Sequence, residues 1–568
     1  MVKLPLPARD WLSGYRRADA LADLNAALIV TLMMIPQALA YALLAGLPPQ
    51  TGLYASMLPL VVYALFGSSR TLSVGPMAVV SLMTAAAASQ VAAPGSPEYL
   101  QAALVLALLS GAFLLLMGLL RMGWVANLLS HAVISGLILA SGLLIAASQL
   151  KHLLGVSAPG DTLPALIRAL LADPGAINGA TLALSLLVLC ALLALRRLGG
   201  PLARLAPLAA VVLSTLAVAG WHLDGVGVAV IGEIPSGLPG LTLPAWDAQL
   251  WRQLALPALL IGLVGFVESV SVAQTLAAKR RQRIDPNREL NGLGAANLAA
   301  AFSGGFPITG GFARSVVNYD AGARTPMAGV FTAAGLALVA LWLTPWLYYL
   351  PKATLAATII IAVLGLLDPG TVVRTWRYSR SDFLALLVTL AGVLLLGITA
   401  GLITGVASAL ALHLWRTSQP HMAELGQMPG TEHFRNVLRH RVVVSPTVLS
   451  LRVDESLFFA NARQVEDAIY DIAVQRPTVR HVVLLCSAIS HIDASALDSL
   501  ETLNQRLHDA GLTLHLSEVK GPVMDRLTHS SFLDQLAGQV FLSHFEALHT
   551  LDPDSACQGL LPAQPEVR

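Results

Sequence analysis

Between residues 24 and 415 the chain is an almost unbroken succession of apolar segments, most of them near the roughly 20 residues that a helix needs to cross a bilayer. They fall at 24–46, 52–69, 75–93, 100–120, 125–150, 176–195, 203–221, 253–278, 325–344, 353–367, 382–397 and 399–415. Two shorter ones at 290–302 and 311–320 bring the number to fourteen. Only 12% of the 568 residues are charged and mean hydropathy is +0.69, whereas an ordinary soluble domain is roughly 25% charged. The expected fold class is therefore a polytopic α-helical membrane protein set in lipid. A formal net charge of +2 gives no basis for a nucleic-acid partner.

Basic residues test the topology. Arg70, Arg121, Arg196, Arg197, Arg204, the run Lys279-Arg280-Arg281-Gln282-Arg283, Arg324, Arg374, Arg377, Arg380 and Arg416 fall in every second loop. The alternate loops carry little beyond Lys151, His152, Arg252 and Lys352. The positive-inside rule then places both termini in the cytoplasm of a multi-pass cell-membrane protein. Lys3, Arg9, Arg16 and Arg17 precede a full-length apolar run, which reads as a first span behind a cytoplasmic segment, 1–20, and not as a signal peptide. Trp342, Trp346, Tyr348 and Tyr349 read as an aromatic belt at an outer boundary.

Within this frame one stretch stands apart, Ser303-Gly-Gly-Phe-Pro-Ile-Thr-Gly-Gly-Phe-Ala-Arg-Ser-Val-Val-Asn318. Its glycines and proline cannot continue a helix, so a segment breaks and a new helix starts near Phe312 with Arg314 in its first turn. An exposed helix N-terminus at membrane depth presents unpaired N–H groups and a positive dipole end, and Arg314 adds a full charge. Such a place binds anions. Ser73-Val-Gly-Pro-Met-Ala78 is a second break followed by a helix start. Fourteen spans divide into seven plus seven, and an odd repeat inverts its second half. Both breaks then open the third segment of their half, the pattern of a transporter site at the midplane.

Obligate charges within the apolar segments number two, Glu268 and Arg314. Each costs about 2.5–3.5 kcal/mol on insertion scales, which argues for function; a structural Glu–Arg pair is the plain alternative. His131 reads as a helix-end polar residue. The first segment is expected to break at Pro36, with Gln37 and Tyr41 four apart on one face to complete an anion's coordination. Cys190, Cys486 and Cys557 have no metal-ligand spacing, and no nucleotide loop, triad or metal cluster suggests an enzyme or a cofactor.

Beyond Arg416 the composition becomes soluble. Residues 418–440, with Pro420, Gly426, Pro429 and Gly430, read as a linker between a transport domain, 21–417, and a small α/β domain, 441–553. Strand-like runs at 447–453, 481–486, 512–518 and 539–542 alternate with helical ones at 462–474, 494–510, 522–529 and 544–551. Residues 554–568 read as a disordered tail.

The chain resembles the sulfate permease (SulP) anion transporters over nearly its full length. The motifs that carry the resemblance are Pro36-Gln-Ala-Leu-Ala-Tyr41 with Gly46-Leu-Pro-Pro-Gln-Thr-Gly-Leu-Tyr54, Phe66-Gly-Ser-Ser-Arg70 with Ser73-Val-Gly-Pro76, Gly265–Gln274 and Gly304–Asn318. The soluble end resembles a STAS domain through Glu455-Ser-Leu-Phe-Phe-Ala-Asn-Ala462 and His491-Ile-Asp-Ala-Ser-Ala-Leu497. The resemblance implies a seven-plus-seven inverted repeat with core and gate subdomains, a homodimer and elevator-like movement of the core. It also implies an anion held by Gln37, Tyr41, Val74, Gly75, Phe312, Ala313 and Arg314.

Sodium-coupled bicarbonate members, as the family pattern implies, carry an Asp in the eighth helix, a Thr four residues on, and a Thr two before the Arg of the tenth. Glu268, Val272 and Phe312 stand there instead. A hard cation needs several oxygen ligands, so sodium coupling is disfavoured and Glu268 is the expected proton-coupling residue, as in proton-coupled sulfate carriers. Ser495 falls where anti-sigma-factor antagonists carry a phosphorylatable serine; with Asp498 it also reads as a capping box for a helix at 496–510. The expected function is proton-coupled sulfate uptake. Dicarboxylate or bicarbonate/chloride transport, a nucleobase permease and an anion-sensing signalling protein are the alternatives.

Overall fold

The computed structural model describes residues 8–561 except 128–129, 157–159, 161, 173–175, 199 and 365–366. The chain divides into two compact units, Met1–Ala409 and Leu410–Arg568.

Each of the fourteen apolar segments contains a helix among the described residues. In order they are α1 (Arg17–Leu44), α2 (Leu58–Phe66), α3 (Ala78–Ala88), α4 (Pro97–Leu119), α5 (His131–Leu154), α6 (Gly179–Leu198) and α7 (Gly200–Trp221). The second seven are α8 (Ala248–Lys279), α9 (Pro286–Phe302), α10 (Phe312–Asp320), α11 (Met327–Leu338), α12 (Lys352–Leu364), α13 (Arg380–Leu396) and α14 (Ile398–Ser418). Two-residue strands, β1 (Val74–Gly75) and β2 (Thr309–Gly310), lie where the two breaks were expected.

The first segment does not break at Pro36. α1 runs through it as one 28-residue helix, because a proline removes a single hydrogen bond and a packed membrane helix tolerates that loss. α7 and α8 likewise contain Pro207 and Pro257.

Two sets of helices form. α4 packs on α8 and α9, α9 on α2, and α11 on α1 and α2, whereas α5 packs on α12 and α13, and α6 on α7 and α12. Small residues let the first set approach closely: a Cβ on Gly111 of α4 would meet Gly294 O of α9 at 2.8 Å, and one on Gly294 would meet Gly111 O at 2.9 Å. Several starts are capped by side chains. Ser96 Oγ accepts from Tyr99 N at 3.2 Å, Ser130 Oγ from Val133 N at 3.3 Å, and Asp247 and Asp285 cap α8 and α9.

The second unit holds a six-stranded sheet. β3 (Met422–Gln427), β4 (Phe434–Asn436), β5 (Val448–Val453), β6 (His481–Leu485), β7 (Thr513–Ser517) and β8 (Val540–Phe541) lie in the order β4-β3-β5-β6-β7-β8. β5 to β8 are parallel and β3 runs antiparallel to both neighbours. Helices α15 (Ala462–Val474), α16 (Ala494–Asp509), α17 (Gly521–Thr528) and α18 (His544–Leu551) connect or follow the parallel strands. β5 and β6 are buried on nearly every residue, as strands covered on both faces must be.

Residues 418–440 are not a bare connection: they carry β3 and β4, whose Leu425 is 2% exposed. Residues 553–560 form a further helix, α19 (Pro553–Leu560). The rest of the expected tail beyond Leu561 lies outside the described residues, as do residues 1–7 of the expected N-terminal segment.

Candidate anion-binding site

The two breaks meet. Val74 pairs with Gly310 and Gly75 with Thr309 in an antiparallel bridge, and Gly311 N donates to Ser73 O at 3.1 Å. α3 starts three residues past β1 and α10 two past β2, so two helix N-termini flank one small ladder. Neither start has a side-chain cap: the capping positions are Met77 and Gly311, both extended. In a unit where α4, α5, α8, α9 and α13 use Ser or Asp caps, these two ends keep their leading N–H groups without a side-chain acceptor.

Arg314 fills the space beside them. It is 2% exposed, and its Nη1 donates to Pro76 O at 2.5 Å, while Nε and Nη2 have no partner among the described residues. The guanidinium lies over glycine backbone. A Cβ on Gly311 would come within 3.0 Å of Nη2 and 3.1 Å of Nε, and one on Gly75 within 3.5 Å of Nη2. Any larger residue at 311 would displace the charge. A buried guanidinium with most of its donors unused is costly, and an anion seated at the two helix starts would satisfy it.

Polar side chains hold this geometry. Ser73 N donates to Ser315 Oγ at 2.9 Å, and Asn318 Nδ2 to Thr71 O at 3.0 Å, fixing α10 against the strand before α3. Ser269 Oγ accepts from Gly310 N at 2.9 Å and lies 2.7 Å from Thr309 Oγ1, tying α8 to β2. Asn297 of α9 spans the glycine turn, accepting from Ile308 N and donating to Ile308 O at 2.9 and 3.0 Å.

The sequence-derived residues divide. Val74, Gly75 and Arg314 are at the bridge itself. Phe312 and Ala313, in the first turn of α10, are exposed. Tyr41 is 7% exposed and Gln37 half-buried on α1, about two turns and one turn beyond Met34, whose Cε fills the place a Gly75 Cβ would take. Tyr41, Glu268 and Arg314 are within electrostatic range of one another.

Glu268 makes no hydrogen bond to Arg314, so the plain ion-pair alternative does not describe this structure. It borders a narrow apolar cavity of about 20 Å³ with Val79, Val264, Ile134, Leu137 and Leu402, room for roughly one water. Those residues belong to α3 and α8 on one side and α5 and α14 on the other.

Two buried carboxylates escaped the sequence reading. Asp23 in α1 accepts from Arg324 N, Thr325 N and Thr325 Oγ1 at 2.6, 3.1 and 2.5 Å. Glu289 in α9 accepts from Tyr63 Oη at 2.8 Å, Ser68 N and Ser69 N at 2.9 Å, and Ser68 Oγ at 2.6 Å. The helices extend past the apolar segments, so the interior charges exceed the expected two. Ser56 was missed as well; it is fully buried with Oγ 3.6 Å from a Gly75 Cβ position, and its segment carried no signal beyond glycine and proline.

In the second unit, Leu457 N donates to His491 O at 3.1 Å, bringing the two STAS-like motifs side by side. The expected capping box at Ser495 does not form. Asp493 caps α16 two residues earlier, accepting from Ala496 N at 2.9 Å, since a carboxylate there already satisfies the orphan donor. Ser495 lies exposed in the first turn.

The Sulfate permease family pattern matches residues 21–389 and the STAS domain pattern residues 440–547. Sulfate transporter 4.1, chloroplastic, of Arabidopsis thaliana is 34% identical over 554 residues, covering 94% of this chain and 80% of that protein. A probable sulfate transporter of Mycobacterium tuberculosis is 34% identical over 530 residues, 93% of each chain. In fold, the chain matches the murine solute carrier 26 family member A9 anion transporter in its inward-facing state with a TM-score of 0.89 at 24% identity, covering 97% and 94% of the two chains. The transmembrane domain of a cyanobacterium bicarbonate transporter matches with a TM-score of 0.61 at 23% identity, over 70% of this chain and 98% of that one. Family models and relatives thus agree with the paired breaks and the mixed sheet: the chain belongs to the sulfate permease family, as a multi-pass membrane transporter with a C-terminal STAS domain.

Proposed function

We propose that the protein is a secondary active transporter of a small inorganic anion, with sulfate, the substrate named for its relatives, as the leading candidate. The observation that carries the reading is the Arg314 guanidinium, buried with Nε and Nη2 unpartnered beside two uncapped helix starts. The anion accepts from the leading N–H groups of α3 and α10, the latter at Phe312 and Ala313, and from Arg314, against Val74 and Gly75 of β1, with Gln37 and Tyr41 of α1 closing the pocket. Bicarbonate/chloride or dicarboxylate fit the same donors. A nucleobase does not use a guanidinium in this way, and a sensor binds without moving solute.

Glu268 is the proposed proton carrier. Its carboxyl borders the apolar seam between the two helix sets, where a bare charge would oppose sliding and a protonated acid would not. An elevator-like passage of the first set past the second then requires the proton. Inward movement of each negative charge against an interior potential costs about 2.3 kcal/mol per 100 mV, which co-moving protons cancel. Val272 and Phe312 supply no oxygen for sodium. A homodimer with both termini cytoplasmic completes the reading, and exposed Ser495, at a helix start that favours phosphate, is a candidate phosphorylation site.

Labelled sulfate uptake into proteoliposomes with and without an inward proton gradient tests this. The parent should accumulate sulfate faster with the gradient. Glu268→Gln, fixed in the neutral form, should keep binding and exchange but lose that acceleration; a Gln variant that responds like the parent removes Glu268 from the coupling step.

A further inference from the structure

The end of the helical unit that carries residues 8–20 holds two adjoining cavities, whose lining includes neither the bridge of β1 and β2 nor Arg314. One, about 310 Å³, is bordered by Trp11, Ser68, Arg70, Gln282, Arg283 and Arg288; the other, about 700 Å³, by Trp11, Asp19, Arg70, Arg280 and Arg324. Trp11, Arg70 and Gln282 border both, so the two form one basin. Four separate stretches of chain build it: the segment before α1, the turn after α2, the loop between α8 and α9, and the loop after α10.

Five arginines face two carboxylates, Asp19 and Asp285, and the arginines are not equivalent. Arg280 donates to Ala323 O at 2.5 Å and stacks 4.4 Å over Tyr319, a structural use. Arg324 lies 3.1 Å from Asp19, and Arg288 3.6 Å from Asp285. Arg70 and Arg283 are exposed and have no ion pair or hydrogen bond among the described residues. Trp11 is 7% exposed, yet its Nε1–H has no partner among the described residues. Basic loops on one membrane face are ordinary topogenic charges. A solvated basic face does not require a concavity fed by four stretches, nor a buried indole donor left without an acceptor.

We propose that this basin binds a phosphate-bearing polyanion, larger and more charged than the transported ion. The volumes fall in the range of small-molecule pockets, roughly 300–1,000 Å³, and two unpaired guanidinium forks match phosphate bidentately. The source is either a soluble polyphosphate or the headgroup of an anionic lipid in the adjoining leaflet. Bound there, it would bridge the turn after α2 and the loop after α10, the two segments that Glu289 and Asp23 already anchor.

The test uses the full-length protein in detergent. Inorganic pyrophosphate is titrated by calorimetry, and retention of phosphatidic acid against phosphatidylcholine is read by native mass spectrometry. One of the two probes should bind the parent, pyrophosphate identifying a soluble ligand and phosphatidic acid a lipid one. Arg70→Gln combined with Arg283→Gln should weaken that probe about tenfold while sulfate binding at the Arg314 pocket is unchanged. Trp11→Phe, which keeps the ring and removes the N–H, should weaken it several-fold. Equal binding of both probes by parent and double variant overturns the proposal. So does a parallel loss of sulfate binding, which would make the basin part of the transport route. Because no Arg314-pocket residue is altered, failure of the transport reading leaves this result intact.

Discussion

Glu289 and Glu268 lie in neighbouring helices of the same apolar unit, and their surroundings are opposite. Glu289 is fully buried and accepts four hydrogen bonds from Tyr63, Ser68 and Ser69. Glu268 is half-buried, borders a narrow apolar cavity and has no hydrogen bond among the described residues. Burying a carboxylate costs several kcal/mol unless donors compensate. At Glu289 the fold supplies them, which makes the residue a clamp between α9 and the turn that leads into β1. At Glu268 it does not, and the same contrast separates Arg280, spent on backbone oxygens, from Arg314, largely unspent. Hydrogen-bonded charges such as Glu289 hold this fold, and the under-satisfied ones, Glu268 and Arg314, are those proposed to act in transport.

The sharpest break of that comparison is stability. Glu289→Ala orphans four donors and should cost about 3–5 kcal/mol, seen as a large fall in thermal stability in detergent. Glu268→Ala should leave the melting temperature unchanged or raise it. Equal losses at the two positions would erase the distinction. Next comes Arg314→Ala, which should weaken anion binding by about 2 kcal/mol or more without a matching loss of stability, since the guanidinium makes one backbone hydrogen bond; calorimetric titration with sulfate reads this. Arg314→Lys should recover only part, lacking the planar fork.

The smallest effect extends the comparison to the soluble unit. His515 and His544 are nearly fully buried, and burial pushes both imidazoles down to about 4 from 6.5. His544 Nδ1 lies 2.7 Å from Ser517 Oγ while Nε2 has no partner among the described residues. The fold therefore favours the neutral rings, so their contribution is complete above pH 6.5 and is lost as pH falls from 6.5 toward 4. Hydrogen exchange of β7 and α18 in the full-length protein should accelerate across that window, and His544→Phe should flatten the dependence. A parent insensitive to this window would show that the histidines carry no such cost.

Much of this was legible because it is local. Hydropathy marks fourteen segments, Gly-Pro and Gly-Gly pairs mark two breaks, and alternating strand and helix runs mark β5 to α18 nearly residue by residue. The misses share a cause. The donors to Glu289 lie 220–226 residues away and those to Asp23 301–302 away, and both carboxylates stand one residue outside an apolar segment. β3 hid behind Pro420, Gly426 and Pro429, since an antiparallel strand of mixed composition is recognised by its partners β4 and β5 and by little in itself. Pro36 was over-read, because propensity counts the lost hydrogen bond and not the packing that retains the helix.

By itself the sequence determined that the chain must live in a membrane, that helices must stop near Gly75 and Gly310, and that Arg314 must fall in the first turn after the second stop. Those are properties of short windows: transfer free energy, glycine and proline backbone limits, helix geometry. Only the tertiary structure decided that the two stops pair, Val74 with Gly310, so that both helix starts and the guanidinium converge on one point. Only it decided that Glu268 would face the apolar seam and not Arg314. Pairing across more than 230 residues depends on which backbone donors and acceptors remain unsatisfied after every helix has packed, and no local window contains that information.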